Sequence, residues 1–134
     1  MIGNHDHLRK QGGDLQSSAE YRKRMCPENY AFFIGKDIFF SVDNIIYTAE
    51  KGYNEGYADH VLAFVRGVMK YVQADADVYI AQHSPLAGRD VGKRILGTSD
   101  MLNLIEGHKT LFLSGHNHLS KPYTYGNDVT EHNI

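Results

Sequence analysis

Apolar positions along this chain follow two different periods. Over residues 58–72, Val61, Val65, Val68 and Val72 recur with Leu62 and Met69 beside them, which predicts an amphipathic helix with one buried face. Tyr30–Ile34 and 37–42 are aromatic and β-branched runs joined at Gly35-Lys36, the signature of a hairpin. The second run is nearly all apolar, as expected of a strand buried on both faces. Val78–Ala81 and 110–113 predict two further short strands, and Lys121–Tyr125 with 129–134 a closing hairpin around Gly126-Asn127. Ser17 or Ser18 is placed to cap a helix through Met25, with Glu20 following as in a capping box and Pro27 just beyond its end. Ser99 is placed to cap another through Glu106. Polar loops separate these elements: 3–14 with its Gly12-Gly13 turn signal, the Gly52-Tyr53-Asn54 stretch up to Gly56, and the charged segment 88–97. Strands alternating with helices predict an α/β layered architecture in one domain, with no internal repeat, linker or low-complexity segment.

Composition narrows this reading. At 134 residues, with 42% hydrophobic and 22% charged, the chain is long and apolar enough for one real core. A net charge of -2 gives no overall attraction to nucleic acid or an anionic membrane, and the short basic groups Arg22-Lys23-Arg24 and Lys93-Arg94 read as solvated faces. Cys26 stands alone, which excludes a disulfide framework or a CxxC metal knuckle and suits a small, partly buried residue at a helix end. No apolar run approaches the roughly 20 residues that span a bilayer. No basic region followed by an apolar stretch opens the chain, so a signal peptide is not expected in it, and Met1-Ile2 leaves no room for the strand that normally precedes a loop such as Gly3-Asn4-His5-Asp6.

Three polar clusters sit where strands or apolar runs end: Gly3-Asn4-His5, Gln82-His83-Ser84 and Gly115-His116-Asn117-His118. In open α/β sheets that edge is where ligands bind. Each cluster has a plain reading by itself: a satisfied strand-end histidine, a polar loop, an Asn/Asp turn. Together they place an amide oxygen and three imidazoles, Asn4, His83, His116 and His118, as candidate ligands for a borderline first-row divalent ion. Gly115 allows a tight turn beside the paired histidines. Ser84 and Ser114 read as loop hydroxyls bonding nearby backbone. Asp43 and Asn44 either approach substrate or serve strand-end turn chemistry. Arg89 and Lys93 either meet phosphate oxygens or lie in a solvated loop, and Tyr53 and Tyr57 either line a cleft or pack half-buried. His7, His60, His108 and His132 match no ligand position.

Gly3-Asn4-His5-Asp6, His83 and Gly115-His116-Asn117-His118 resemble the later motifs of the calcineurin-like metallophosphoesterases, whose pattern runs DxH, GDxxD, GNH(D/E), H, GHxH. The resemblance covers essentially the whole chain, 1–134, as the C-terminal part of a single catalytic domain. Val42-Asp43-Asn44, Gly52-Tyr53-Asn54 and Glu131-His132-Asn133 look like segments of one subgroup, exported bacterial phosphoesterases with an extra β-rich C-terminal domain, and export is suggested by that likeness alone. The resemblance implies a partial layered sandwich of mixed sheets flanked by helices, its N-terminal strands missing. It implies metal-dependent hydrolysis of small phosphate mono- or diesters, with two divalent ions drawn from Mn, Fe, Zn, Co or Ni. Two cations about 3.5–4 Å apart clamp a phosphoryl oxygen and acidify a shared water, so no Ser, Cys or Lys nucleophile is needed. Asn4, His83 and His116 would serve one ion and His118 the other. His5 would stand by the leaving group to donate a proton or stabilise charge. Asp6 would hold the His5 ring, or else cap its own loop.

The chain departs from the family pattern, because DxH and GDxxD do not occur in it. The bridging carboxylate goes with them, as do two ligands of the ion that would otherwise keep only His118. The expectations are one well-held ion at most, poor hydrolysis, and an uncovered sheet edge and apolar surface. The alternative is a non-catalytic, degenerate metal-binding or interaction module. A nuclease is disfavoured by the weakly acidic balance and scattered bases.

Overall fold

The hairpin predicted at Gly35-Lys36 forms as β1 (Tyr30–Ile34) and β2 (Asp37–Ser41), paired antiparallel with Phe32 opposite Phe39. This is a computed structural model, and it describes residues 1–8, 13–48, 52–88 and 93–134. Gly12 and Arg89 lie outside the described residues. From β2 the chain builds a mixed sheet with β5 (Val78–Ala81), β6 (Thr110–Ser114), β7 (Lys121–Tyr125) and β8 (Val129–Asn133), in the order β1-β2-β5-β6-β8-β7. The four central strands β2, β5, β6 and β8 run parallel, and β1 and β7 flank them antiparallel. The architecture is the α/β layered one that the pattern of periods predicts, with the mixed sheet flanked by helices that the resemblance implies.

The helix of the valine stripe is α3 (Asp59–Met69), which buries Val61, Leu62 and Val65. With Met101 and Ile105 these side chains form one core against Ile38, Phe40, Val78, Ile80 and Phe112 of the sheet. Each side chain of this size contributes about 1.5–3 kcal/mol when fully removed from water. Strand β2 is not buried on both faces as its apolar run suggested. Ile38 and Phe40 point into the core, while Phe39 stacks on the other face between Phe32 and Tyr79, at centroid distances of 5.4 and 4.5 Å. That aromatic row, not a second buried layer, accounts for the unbroken apolar run. At the β1 edge Phe32, Phe33 and Ile34 are exposed, the last by 60%. No helix among the described residues is long and apolar enough to cross a membrane.

Three boundaries differ from the sequence reading. The helix expected through Met25 starts earlier and breaks at Ser18 into α1 (Asp14–Ser17) and α2 (Ala19–Arg24). Ser18 stands at the N-cap position of α2, but neither hydroxyl makes a cap bond: Ser17 Oγ donates to the Asp14 carbonyl at 2.6 Å and Ser18 Oγ to that of Leu15 at 3.3 Å. A hydroxyl that bonds backward in this way competes with the helix instead of starting it. The stretch after Asn44 is a hairpin of β3 (Ile45–Thr48) and β4 (Gly52–Glu55), where only a loop was expected. Finally, α4 (Thr98–Leu104) opens from Gly97 in left-handed conformation, φ 73°, and not from Ser99. Glycine adopts that conformation without the penalty a Cβ brings.

Candidate functional site

Parallel pairing carries the C-terminal ends of β2, β5 and β6 to one edge, and the pairing continues past the strands. Val42 N donates to the Ala81 carbonyl, Gln82 N to that of Leu113 and Gly115 N to that of His83, all at 3.0 Å. His83 and His116 are thereby neighbours, with ring centroids 4.6 Å apart and planes at 59°. The N-terminal loop completes the group. Gly3 N donates to Asp6 Oδ2 at 2.8 Å and Asp6 N to the Gly3 carbonyl at 2.9 Å, a tight turn that presents Asn4. Asn4 Oδ1 accepts from His83 Nε2 at 2.8 Å. A Cβ on Gly3 would lie 2.9 to 3.2 Å from three atoms of the His83 ring, so the loop seats on that ring only because residue 3 is glycine.

The site extends to β4. Tyr53 Oη lies 3.4 Å from Asn4 Nδ2 and 3.5 Å from His116 Nε2, and Glu55 Oε1 lies 3.1 Å from the same histidine nitrogen. Asn44 fixes the His83 turn from beneath: its Oδ1 accepts from His83 N and Ser84 N at 3.1 and 2.9 Å, and its Nδ2 donates to the Ser84 carbonyl at 2.7 Å. Burial, and then the neighbouring His116, push the His83 imidazole down to about 4, so its ring is neutral at pH 7 and able to donate a lone pair. His116 and His118 have φ of 70° and 55°, a left-handed backbone that non-glycine residues rarely adopt. Strain of this kind gathers at functional sites.

The structure brings together Asn4, His83 and His116 but not the other three candidates. Among the described residues, neither His5 nor His118 makes a hydrogen bond, and both are exposed. Asp6 Oδ2 accepts from Gly3 N, so Asp6 closes its own loop, and among the described residues no hydrogen bond joins it to the His5 ring. Asp43 and Asn44 are buried and engaged with backbone, Asp43 through Ile45 N at 3.0 Å, which removes both from substrate and leaves their turn role. Tyr57 is a packing residue, buried and donating to Gln82 Oε1, whereas Tyr53 does line a cleft. That cleft, about 350 Å³, is bounded by Tyr53, Asn54, Glu55, Lys93, Arg94 and Leu96 and shares Tyr53 and Glu55 with the His116 side of the site. Beside it Gly56 lets β4 approach Leu96 closely, since a Cβ there would fall 2.5 Å from Leu96 Cβ.

Sequence reasoning missed Glu55, since a lone carboxylate between two glycines carries no motif. It also gave His7 no role. His7 is buried, with Nδ1 2.7 Å from Ser17 Oγ, its ring stacked on Tyr47 at 5.4 Å and Nε2 3.3 Å from Asp43 Oδ2. The last contact is within ion-pair reach but too far off line for a hydrogen bond. His7 thus latches the Asn4 loop onto α1 and the β2–β3 turn.

Could this group hold a metal ion? Neighbouring donors on one ion with bonds of about 2.1 Å lie about 3 Å apart. The Asn4 to His83 separation of 2.8 Å is of that size, and amide oxygen with imidazole nitrogen suits a first-row divalent ion. Among the described residues, however, no group of three or more His, Cys, Asp or Glu side chains is gathered to enclose an ion. Asn4, His83 and His116 are the side chains that would face an ion at this edge, and among the described residues they do not enclose one.

No family model matches the chain. No curated protein matches it either. Among solved structures it is similar to a dimetal phosphatase from Danio rerio, at 19% identity and a TM-score of 0.48. The likeness covers 61% of this chain and 28% of that one, too distant and too partial to assign an activity.

Proposed function

We propose that this chain carries the Asn4, His83 and His116 part of the metal centre of a phosphate-ester hydrolase. The observation that carries the reading is the convergence of those three side chains, from positions up to 112 apart in sequence, at the ligand-binding edge of the sheet. A divalent ion bound there would polarise a phosphoryl oxygen and acidify a water. The chain's own residues do the remaining work. Asn4 and His83 supply neutral donors, Tyr53 offers a hydroxyl at the boundary between donor group and cleft, and Lys93 and Arg94 put positive charge on the cleft wall that would face an anionic ester. Exposed His5, one residue from Asn4, is free to reach a leaving oxygen as a proton donor. His118, a second ion, and the DxH and GDxxD carboxylates belong to the family resemblance, and this chain does not contain the last two.

A non-catalytic, degenerate metal-binding or interaction module is the second reading, supported by DxH and GDxxD not occurring in the chain. The two readings part at turnover. Phosphomonoester, phosphodiester and single-stranded DNA substrates are to be assayed with Mn²⁺ or Zn²⁺, using His116→Ala as control. Metal-dependent ester hydrolysis above the variant's rate, however slow, supports the hydrolase. Metal binding with turnover equal to the variant's would contradict it and leave the module.

A further inference from the structure

Glu131 is the least expected residue in the core. It lies in β8 beside Phe112 of β6, and it is completely buried. A carboxylate withdrawn from water costs several kcal/mol unless strong donors surround it. Here Oε1 accepts from Leu86 N at 3.1 Å and from Ser114 Oγ at 2.8 Å, while Oε2 accepts from Leu86 N at 3.2 Å and from Tyr125 Oη at 2.9 Å. Its negative charge, after burial itself, raises the Tyr125 and Tyr57 phenols above their ordinary range, which keeps both as donors.

Two of these three donors stand next to site residues. Leu86 follows His83 by three positions, in the turn that Asn44 cradles, and Ser114 precedes His116 by two. The third, Tyr125, belongs to edge strand β7, which carries none of the candidate ligands. We propose that Glu131 is a positioning residue for the candidate metal donors, fixing segment 83–86 against segment 114–116 and so setting His83 against His116. The proposal rests on the reading that these histidines bind an ion. It gives a role to the Glu131-His132-Asn133 segment that no ligand motif explains. A core needs no carboxylate at this position for packing alone, since an apolar side chain of similar volume would avoid the desolvation cost.

The test compares two single-hydroxyl deletions around the same carboxylate. Ser114→Ala cuts the link to the His116 segment, Tyr125→Phe removes a donor from the edge strand, and Ser114→Thr restores the hydroxyl. Zinc affinity is to be measured by calorimetry and the histidine ring environment by NMR of the metal-free chain. The proposal expects Ser114→Ala to weaken zinc binding about tenfold or more and to move the ring signals of His83 and His116. Tyr125→Phe should lower only the melting temperature, and Ser114→Thr should recover both readouts. Should Ser114→Ala not fold, Glu131→Gln, which keeps shape but replaces one acceptor by a donor, must move the same ring signals. Equal effects of Ser114→Ala and Tyr125→Phe on affinity and ring signals would overturn the positioning role. If the wild-type chain binds no zinc, the metal reading falls, and the metal-free ring signals alone decide whether Glu131 sets the histidine pair.

Discussion

Asn4 Oδ1 and His83 Nε2 meet at 2.8 Å although 79 positions separate them in the chain. The contact depends on Gly3, because a side chain there would meet the His83 ring at 2.9 Å. Gly3→Ala is therefore expected to destabilise the protein by about 1–3 kcal/mol, the usual cost of overpacking, and to loosen the Asn4 contact with it. Urea unfolding of the two proteins measures the first effect. Unchanged stability would mean that the loop does not sit on the ring.

His83 titrates at a depressed value, and stability should follow. Its unperturbed pKa is 6.5, and burial with the adjacent His116 lowers it to about 4 in the folded chain. Between those values the unfolded chain binds more protons than the folded one, so stability rises with pH. The metal-free protein is thus expected to hold its full His83 contribution above pH 6.5 and to lose it as pH falls towards 4. Melting temperatures across that range, compared with His83→Gln, check this. A variant as acid-sensitive as the wild type would assign the loss to another group.

The buried latch of His7 should matter for the loop that presents Asn4. His7→Ala leaves Asp43 Oδ2 and Ser17 Oγ without their imidazole neighbour and removes the ring stacked on Tyr47. A loss of about 1–3 kcal/mol is expected from the unsatisfied polar groups. Thermal unfolding measures it, and hydrogen exchange should show the Gly3 and Asp6 amides less protected. Undiminished protection would separate the latch from the loop.

Metal stoichiometry follows from the donor set. With neither DxH nor GDxxD in the chain, one divalent ion per chain is the most it should hold tightly, and phosphodiester turnover should be slow because the two-ion clamp is incomplete. Two tight sites in a manganese titration, or turnover at ordinary enzymatic rates, would refute this.

The fold was legible where periodicity is strong. The valine stripe of α3, the Gly35-Lys36 hairpin and the short strands ending near His83 and His116 all form where the pattern put them. It failed where side chains redirect the backbone. Ser17 and Ser18 look like caps, but their hydroxyls bond backward, and the Phe39 stack made a one-sided strand look two-sided. Convergence of Asn4, His83 and His116 could be anticipated from their strand-end positions. The fates of Glu55 and His7 could not, since each depends on a partner chosen by tertiary packing, His116 Nε2 and Asp43, whereas the loop cap of Asp6 on Gly3 N is a local turn that the sequence already offered as an alternative. Glu131 was visible only as part of a subgroup likeness, and nothing in its sequence neighbourhood shows that its carboxylate spans both site loops.

The most direct test of the central claim is a calorimetric zinc titration of the wild-type chain beside His116→Ala, both shown to be folded. The account predicts one site per chain in the wild type and its loss, or a weakening of about tenfold or more, in the variant. A wild-type chain that binds no zinc, or a variant that binds it equally well, would contradict the assignment of Asn4, His83 and His116 as a metal site.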